Sequence, residues 1–80
     1  MHEWLEAARD RIAAEAGEDA AAYGLAQDEI DELLELARLA AHESGERVNA
    51  PLVCYLVGVA RGRRATDLSE LVDAAVGKRP

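Results

Sequence analysis

The sequence predicts an all-α fold, a small bundle of four main helices, and three observations predict it. Four segments carry apolar residues at helical spacing, bounded by capping residues or glycines. Alanine is abundant while Trp4, Tyr23 and Tyr55 are the only aromatic residues, a mixture suited to closely packed helices. The one β-branched run, Leu52 to Val59, has no second strand to pair with, and an isolated strand cannot satisfy its backbone.

The first helix spans His2 to Ala16. Trp4, Leu5, Ala8 and Ile12 share one face, Glu3 and Glu6 suit the positive end of the helix dipole, and Gly17 closes it. Residues Glu18 to Ala26 predict an irregular connection or one short turn, with Tyr23 and Leu25 plugging the core from outside. Leu25 also suits a hydrophobic staple before the second helix.

The second helix runs from Ile30 to Gly45 and is central. Leu33, Leu34, Leu36, Ala37, Ala40 and Ala41 fall within one arc of roughly 160°, wide enough to touch two or three neighbours. Asp31, Glu32, Glu35, Arg38, His42 and Glu43 lie opposite, and Leu39 interrupts that polar arc. Asn49 then caps a third helix with Pro51 in its first turn, and Val48 is placed to staple onto Val53. That helix is almost wholly apolar. Leu52, Tyr55, Leu56 and Val59 form one face, Val53, Val57 and Ala60 another, and Gly58 is expected to admit a close neighbour. Arg61 to Ala65 reads as a basic turn. Asp67 and Glu70 stand at capping-box spacing before a last helix whose apolar face is Leu68, Leu71, Val72, Ala75 and Val76. Gly77 ends it, and residues 77–80 form a loose basic tail. Short connections make the helices mostly antiparallel.

Eighty residues make a single domain, 1–80, that buries a modest core. One cysteine excludes an internal disulfide, and Cys54 reads as a small core residue. No signal peptide or membrane-length apolar run is visible, so the expected location is the cytoplasm, with no membrane partner. The net charge of −7 is lopsided. Residues 1–46 hold thirteen acidic and three basic side chains, residues 47–80 three acidic and six basic. Such an acidic chain is not expected to bind nucleic acid.

No catalytic constellation stands out from ordinary helix surface. His2, His42 and Cys54 lack metal-ligand spacing, His2 and Glu6 being at most a stray zinc pair, so neither metal nor cofactor is expected. Asp31, Glu35, Arg38 and His42 form a stripe that reads as a solvated face with an ion pair. Arg61, Arg63 and Arg64, just before the last helix, are a candidate anion site, though no glycine-rich phosphate loop accompanies them.

Trp4-Leu5, Leu33 to Arg38, Ala41-His42, Glu46-Arg47, Ala50-Pro51-Leu52, Leu56 to Ala60 and Gly62 together resemble a small actinobacterial helical domain of unknown function. That domain occurs alone or appended to proteins like molybdenum cofactor guanylyltransferase, which transfers a guanylyl group from GTP onto molybdopterin. The resemblance covers most of the chain and is strongest from Leu33 to Gly62, with Val48-Asn49 departing from a proline-containing turn. It concerns the appendage and not the transferase, whose nucleotide loop and metal carboxylates are missing here. The resemblance therefore implies a non-catalytic accessory or interaction domain linked to molybdenum cofactor biosynthesis, with a guanylyltransferase-like protein as its partner. The alternatives are a small anion- or nucleotide-binding protein, or a structural homo-oligomer without a ligand. Arg38, His42 and Arg47 are the candidate interaction site, either recognising an anionic group or capping the helix end, with Arg61, Arg63 and Arg64 secondary. A weak homodimer with Leu39 at its contact is also expected.

Overall fold

The computed structural model describes residues 2–77. It contains four α-helices, α1 (Glu3–Ala16), α2 (Gln27–Ser44), α3 (Asn49–Arg64) and α4 (Leu68–Ala75), with a 3-10 turn at Ala20–Tyr23. No strand occurs among the described residues, as the unpaired β-branched run requires. The expected tail at Lys78 to Pro80 lies outside the described residues.

Local signals set most boundaries. His2 caps α1, its Nδ1 accepting from the Trp4 N–H at 3.1 Å. Gly17 ends α1 in the left-handed region at φ +72°, with the Glu18 N–H reaching back to the Ala13 carbonyl. The uncertain connection resolves as one 3-10 turn, capped by Asp19, whose carboxylate accepts from the Ala21 N–H at 2.8 Å. Asp67 caps α4 through the Ser69 N–H.

Three boundaries differ from the sequence expectation. Helix α2 begins one turn early, at Gln27, because Glu29 reaches back to accept the Ala26 N–H at 2.8 Å. Helix α3 begins at Asn49 without a side-chain cap, and Val48 is exposed, so no staple forms there. At its other end α3 takes in Arg61, Gly62, Arg63 and Arg64, which are its last turn and not a loop. Arginine is a good helix former, and cations are favoured beside the unsatisfied carbonyls of a helix C-terminus. Ala65 closes this helix at φ +51°, a conformation more often left to glycine.

Helices α2, α3 and α4 pack together. The N-terminal part of α2 neighbours the end of α3 and the start of α4, while its C-terminal part neighbours the start of α3 and the end of α4. Thus α3 runs antiparallel to both. Leu36, fully buried, meets Val57, Leu68 and Val72, and Leu33, Val53, Cys54, Leu71 and Val76 pack around them. An ion pair from Arg61 of α3 to Glu29 of α2 ties the other end.

The buried stripe of α2 is rotated from the expected arc by roughly a quarter turn. Leu33, Leu36 and Leu39 follow one another at three-residue spacing on the protected side, and Leu39 is only 7% exposed. Leu34, at the far edge of the expected arc, is 65% exposed. Leucines dominate burial energy, and the expected arc counted alanines equally. The buried Leu39 removes the reason for placing it at a contact between copies.

Helix α1 stands apart. None of its Cα atoms comes within 8 Å of α2, α3 or α4; it packs on the Ala20–Tyr23 turn. Tyr23 and Leu25 line a hollow with Leu5, Ala8 and Ile12, so they pack on α1 instead of plugging the central core. The radius of gyration is 13.2 Å, against about 12 Å for a compact chain of this length.

Two outcomes follow from this packing. Glu29 is held below the usual carboxylate range, first by the Ala26 N–H and then by Arg61. Its contribution is therefore present above that range and is lost as pH falls through it. Glu29→Ala should cost about 1 kcal/mol at neutral pH and flatten the acid limb of the unfolding curve, measured by thermal melts from pH 7 to 3. Gly58 is exposed, and a Cβ there would meet nothing within 4 Å. The close approach expected at this position is absent, so Gly58→Ala should raise stability by about 1 kcal/mol, read by urea denaturation.

Candidate functional site

The polar cluster on α2 does not assemble into one site. Arg38 and His42 lie one turn apart on the exposed side, and Arg47 is exposed in the turn after Gly45. Arg38 is committed to Glu35, donating through Nε at 3.0 Å and Nη2 at 2.6 Å. That carboxylate raises the already high guanidinium pKa. The stripe of Asp31, Glu35, Arg38 and His42 thus contains the ion pair its spacing suggested. The helix end is served by other groups. Ser44 Oγ donates to the Glu46 carbonyl and accepts the Glu46 N–H, each at 3.2 Å, and Gly45 adopts φ +74°. The cap bonds expected of His42 and Arg47 are not among those that form the turn.

The arginines of α3 also separate. Arg61 turns inward to Glu29 and lines a recess of about 500 Å³ with Asp28, Glu32, Asp67 and Ser69. One cation among four carboxylates offers an anion no net attraction. The α4 N-terminus is occupied too, since the Asp67 carboxylate already sits on its Ser69 N–H. Arg63 and Arg64 are exposed on the last turn of α3. Among the described residues no group of three or more His, Cys, Asp or Glu could hold a metal ion. Cys54 is half-buried against the Leu33 carbonyl, and burial pushes its thiol pKa up, away from the nucleophilic thiolate.

The most conspicuous surface is apolar. Leu52, Tyr55 and Leu56 of α3 are 60%, 71% and 63% exposed, and Val59 continues their face toward Arg63. The first two turns of this stripe edge a groove of about 310 Å³, closed on its other sides by Ala40 and Glu43 of α2 and Val76 near α4. Helix α1 bears a second stripe, with Trp4 68% and Ile12 56% exposed. The shared apolar faces expected on both helices are therefore largely exposed, and the residues carry a signal of this. An apolar face on every side of α3 needs neighbours all round, and two adjacent helices cover only part of it. Contiguous exposed apolar surface of this kind marks interaction sites.

A family model described as a domain of unknown function (DUF6457) matches residues 1–79. No curated protein and no solved structure matches the chain.

Because His42 and Arg47 form none of the cap bonds and Arg38 forms an exposed pair, single alanine substitutions at these positions should each leave the unfolding midpoint close to the parent's. Chemical denaturation checks this; a clear drop would show that one of them is structural.

Proposed function

The chain belongs to the DUF6457 family of domains of unknown function, and from that premise we propose that it is a non-catalytic protein-interaction domain. The observation that carries this is the α3 stripe of Leu52, Tyr55, Leu56 and Val59, left open by a helix that buries only its opposite side. An apolar helix face rimmed by charge accepts an amphipathic helix of another protein. A role as an enzyme has less support, because the candidate acid–base and nucleophilic groups are paired, scattered or deactivated by burial.

The finer setting of the proposal is accessory work in molybdenum cofactor biosynthesis, in the cytoplasm, beside a guanylyltransferase-like enzyme. It is supported by the resemblance from Leu33 to Gly62, in which Arg38, His42 and Arg47 match as well as the apolar positions. None of the described helices is long and apolar enough to cross a membrane, which is compatible with that setting. The alternative of anion binding is weakened by the pairing of Arg38 with Glu35 and of Arg61 with Glu29.

Affinity isolation of the tagged protein from its native host tests this. Wild type should retain a guanylyltransferase-like protein, and Leu56→Asp should lose it while keeping the parent's helical circular dichroism. Equal retention by both proteins would refute the α3 surface as the docking site. Recovery of unrelated partners through α3 would refute the molybdenum setting alone.

A further inference from the structure

Resting on the reading of α3 as a docking face, we propose that its occupant in the isolated protein is helix α1 of a second copy, exchanged reciprocally in a two-fold dimer. The accessible surface of the chain is 5911 Å². A compact monomer of 8.6 kDa would expose about 4,700 Å². The excess is about 1,200 Å², whereas a standard stable interface removes about 800 Å² from each partner. One copy thus carries enough surplus surface for such an interface. The surplus includes two apolar helix faces, since Trp4, Leu5 and Ile12 on α1 and Leu52, Leu56 and Val59 on α3 are all exposed.

The two faces match in length, shape and charge. Trp4 to Glu15 and Leu52 to Arg63 span the same number of residues, and each run is a continuous helical stripe. Laid parallel, Trp4 meets Leu52 and Ala8 leaves room for Leu56. Glu15 then reaches Arg63. The surrounding charges agree with this pairing. Glu3, Glu6, Asp10 and Glu15 outnumber Arg9 and Arg11 on α1, while every charged residue of α3 is an arginine. Two helices of one copy would repel a like-charged partner but attract the opposite helix of another.

The chain's own α1 does not cover its own α3. The Gly17 cap and the Ala20–Tyr23 turn direct α1 away, and the Tyr23 hydroxyl donates to Glu18 at 2.7 Å across that turn. A two-fold arrangement satisfies both faces of both copies at once and closes, so no open chain of copies results.

Sedimentation across low to high micromolar concentration tests the proposal with the intact chain. Wild type should dimerise, and Leu56→Asp and Trp4→Asp should each leave it monomeric with unchanged helical content. Arg63→Glu should weaken the dimer about tenfold, because symmetry applies the lost pair twice, and adding Glu15→Arg should restore it. A wild-type monomer throughout, or a dimer indifferent to Leu56→Asp and Trp4→Asp, overturns the proposal. Failure of Glu15→Arg to restore Arg63→Glu overturns the parallel pairing. If wild type is monomeric yet Leu56→Asp still abolishes partner retention in the host, the second copy is refuted and the docking face stands. If Leu56→Asp changes neither association nor retention, the docking reading falls with it.

Discussion

The packing of Leu36 against Val57, Leu68 and Val72 is the contact on which the rest of the α2–α4 unit depends. These side chains come from three helices, so burying them fixes all three pairings together. Full burial of a leucine or valine is worth roughly 1.5–3 kcal/mol, a large share of what a chain of this size can spare above its unfolding threshold. The ion pair between Arg61 and Glu29 works at the rim of that core. Its carboxylate also holds the Ala26 N–H, so one side chain both starts α2 and fastens it to α3.

A core this narrow has consequences at the surface. Helix α3 presents Val53, Cys54 and Val57 inward, and neither neighbour reaches round to its far side. Leu52, Tyr55 and Leu56 stay open for that reason. Helix α1 is carried off by its glycine cap and the 3-10 turn, so its apolar face is met only at its edge by Tyr23 and Leu25, and Trp4 and Ile12 stay open as well. The molecule is therefore long, 37 Å by 25 Å by 20 Å, and exposes apolar surface in two places that share its opposite charges.

Polar chemistry is dispersed by the same geometry. The cations that crowd the sequence between Arg38 and Arg64 end on the exposed side of α2, in a turn, and along the last turn of α3. Two of them are held by Glu35 and Glu29. What remains contiguous is hydrophobic, which favours recognition of a protein surface over recognition of a small anion.

Much of the fold was legible in the residues. Helical periodicity, the glycines at 17, 45 and 77, and Asp67 marked the helices and their ends, because caps and spacing act within a few residues. The outward side of Arg38 and His42 was legible too. Which apolar faces would be buried was not. Periodicity shows that Leu52, Tyr55, Leu56 and Val59 share a side of α3, as do Trp4, Leu5 and Ile12 on α1, but a helix wheel does not say which side meets a neighbour. Leu39 and Leu34 make the same point within α2, where the buried stripe departs from the apolar arc. That choice is made by where other helices sit, through contacts between residues far apart in the chain. Sequence determined the helices, and tertiary packing decided which of their apolar faces became core and which were left exposed, since burial depends on the number and direction of neighbours.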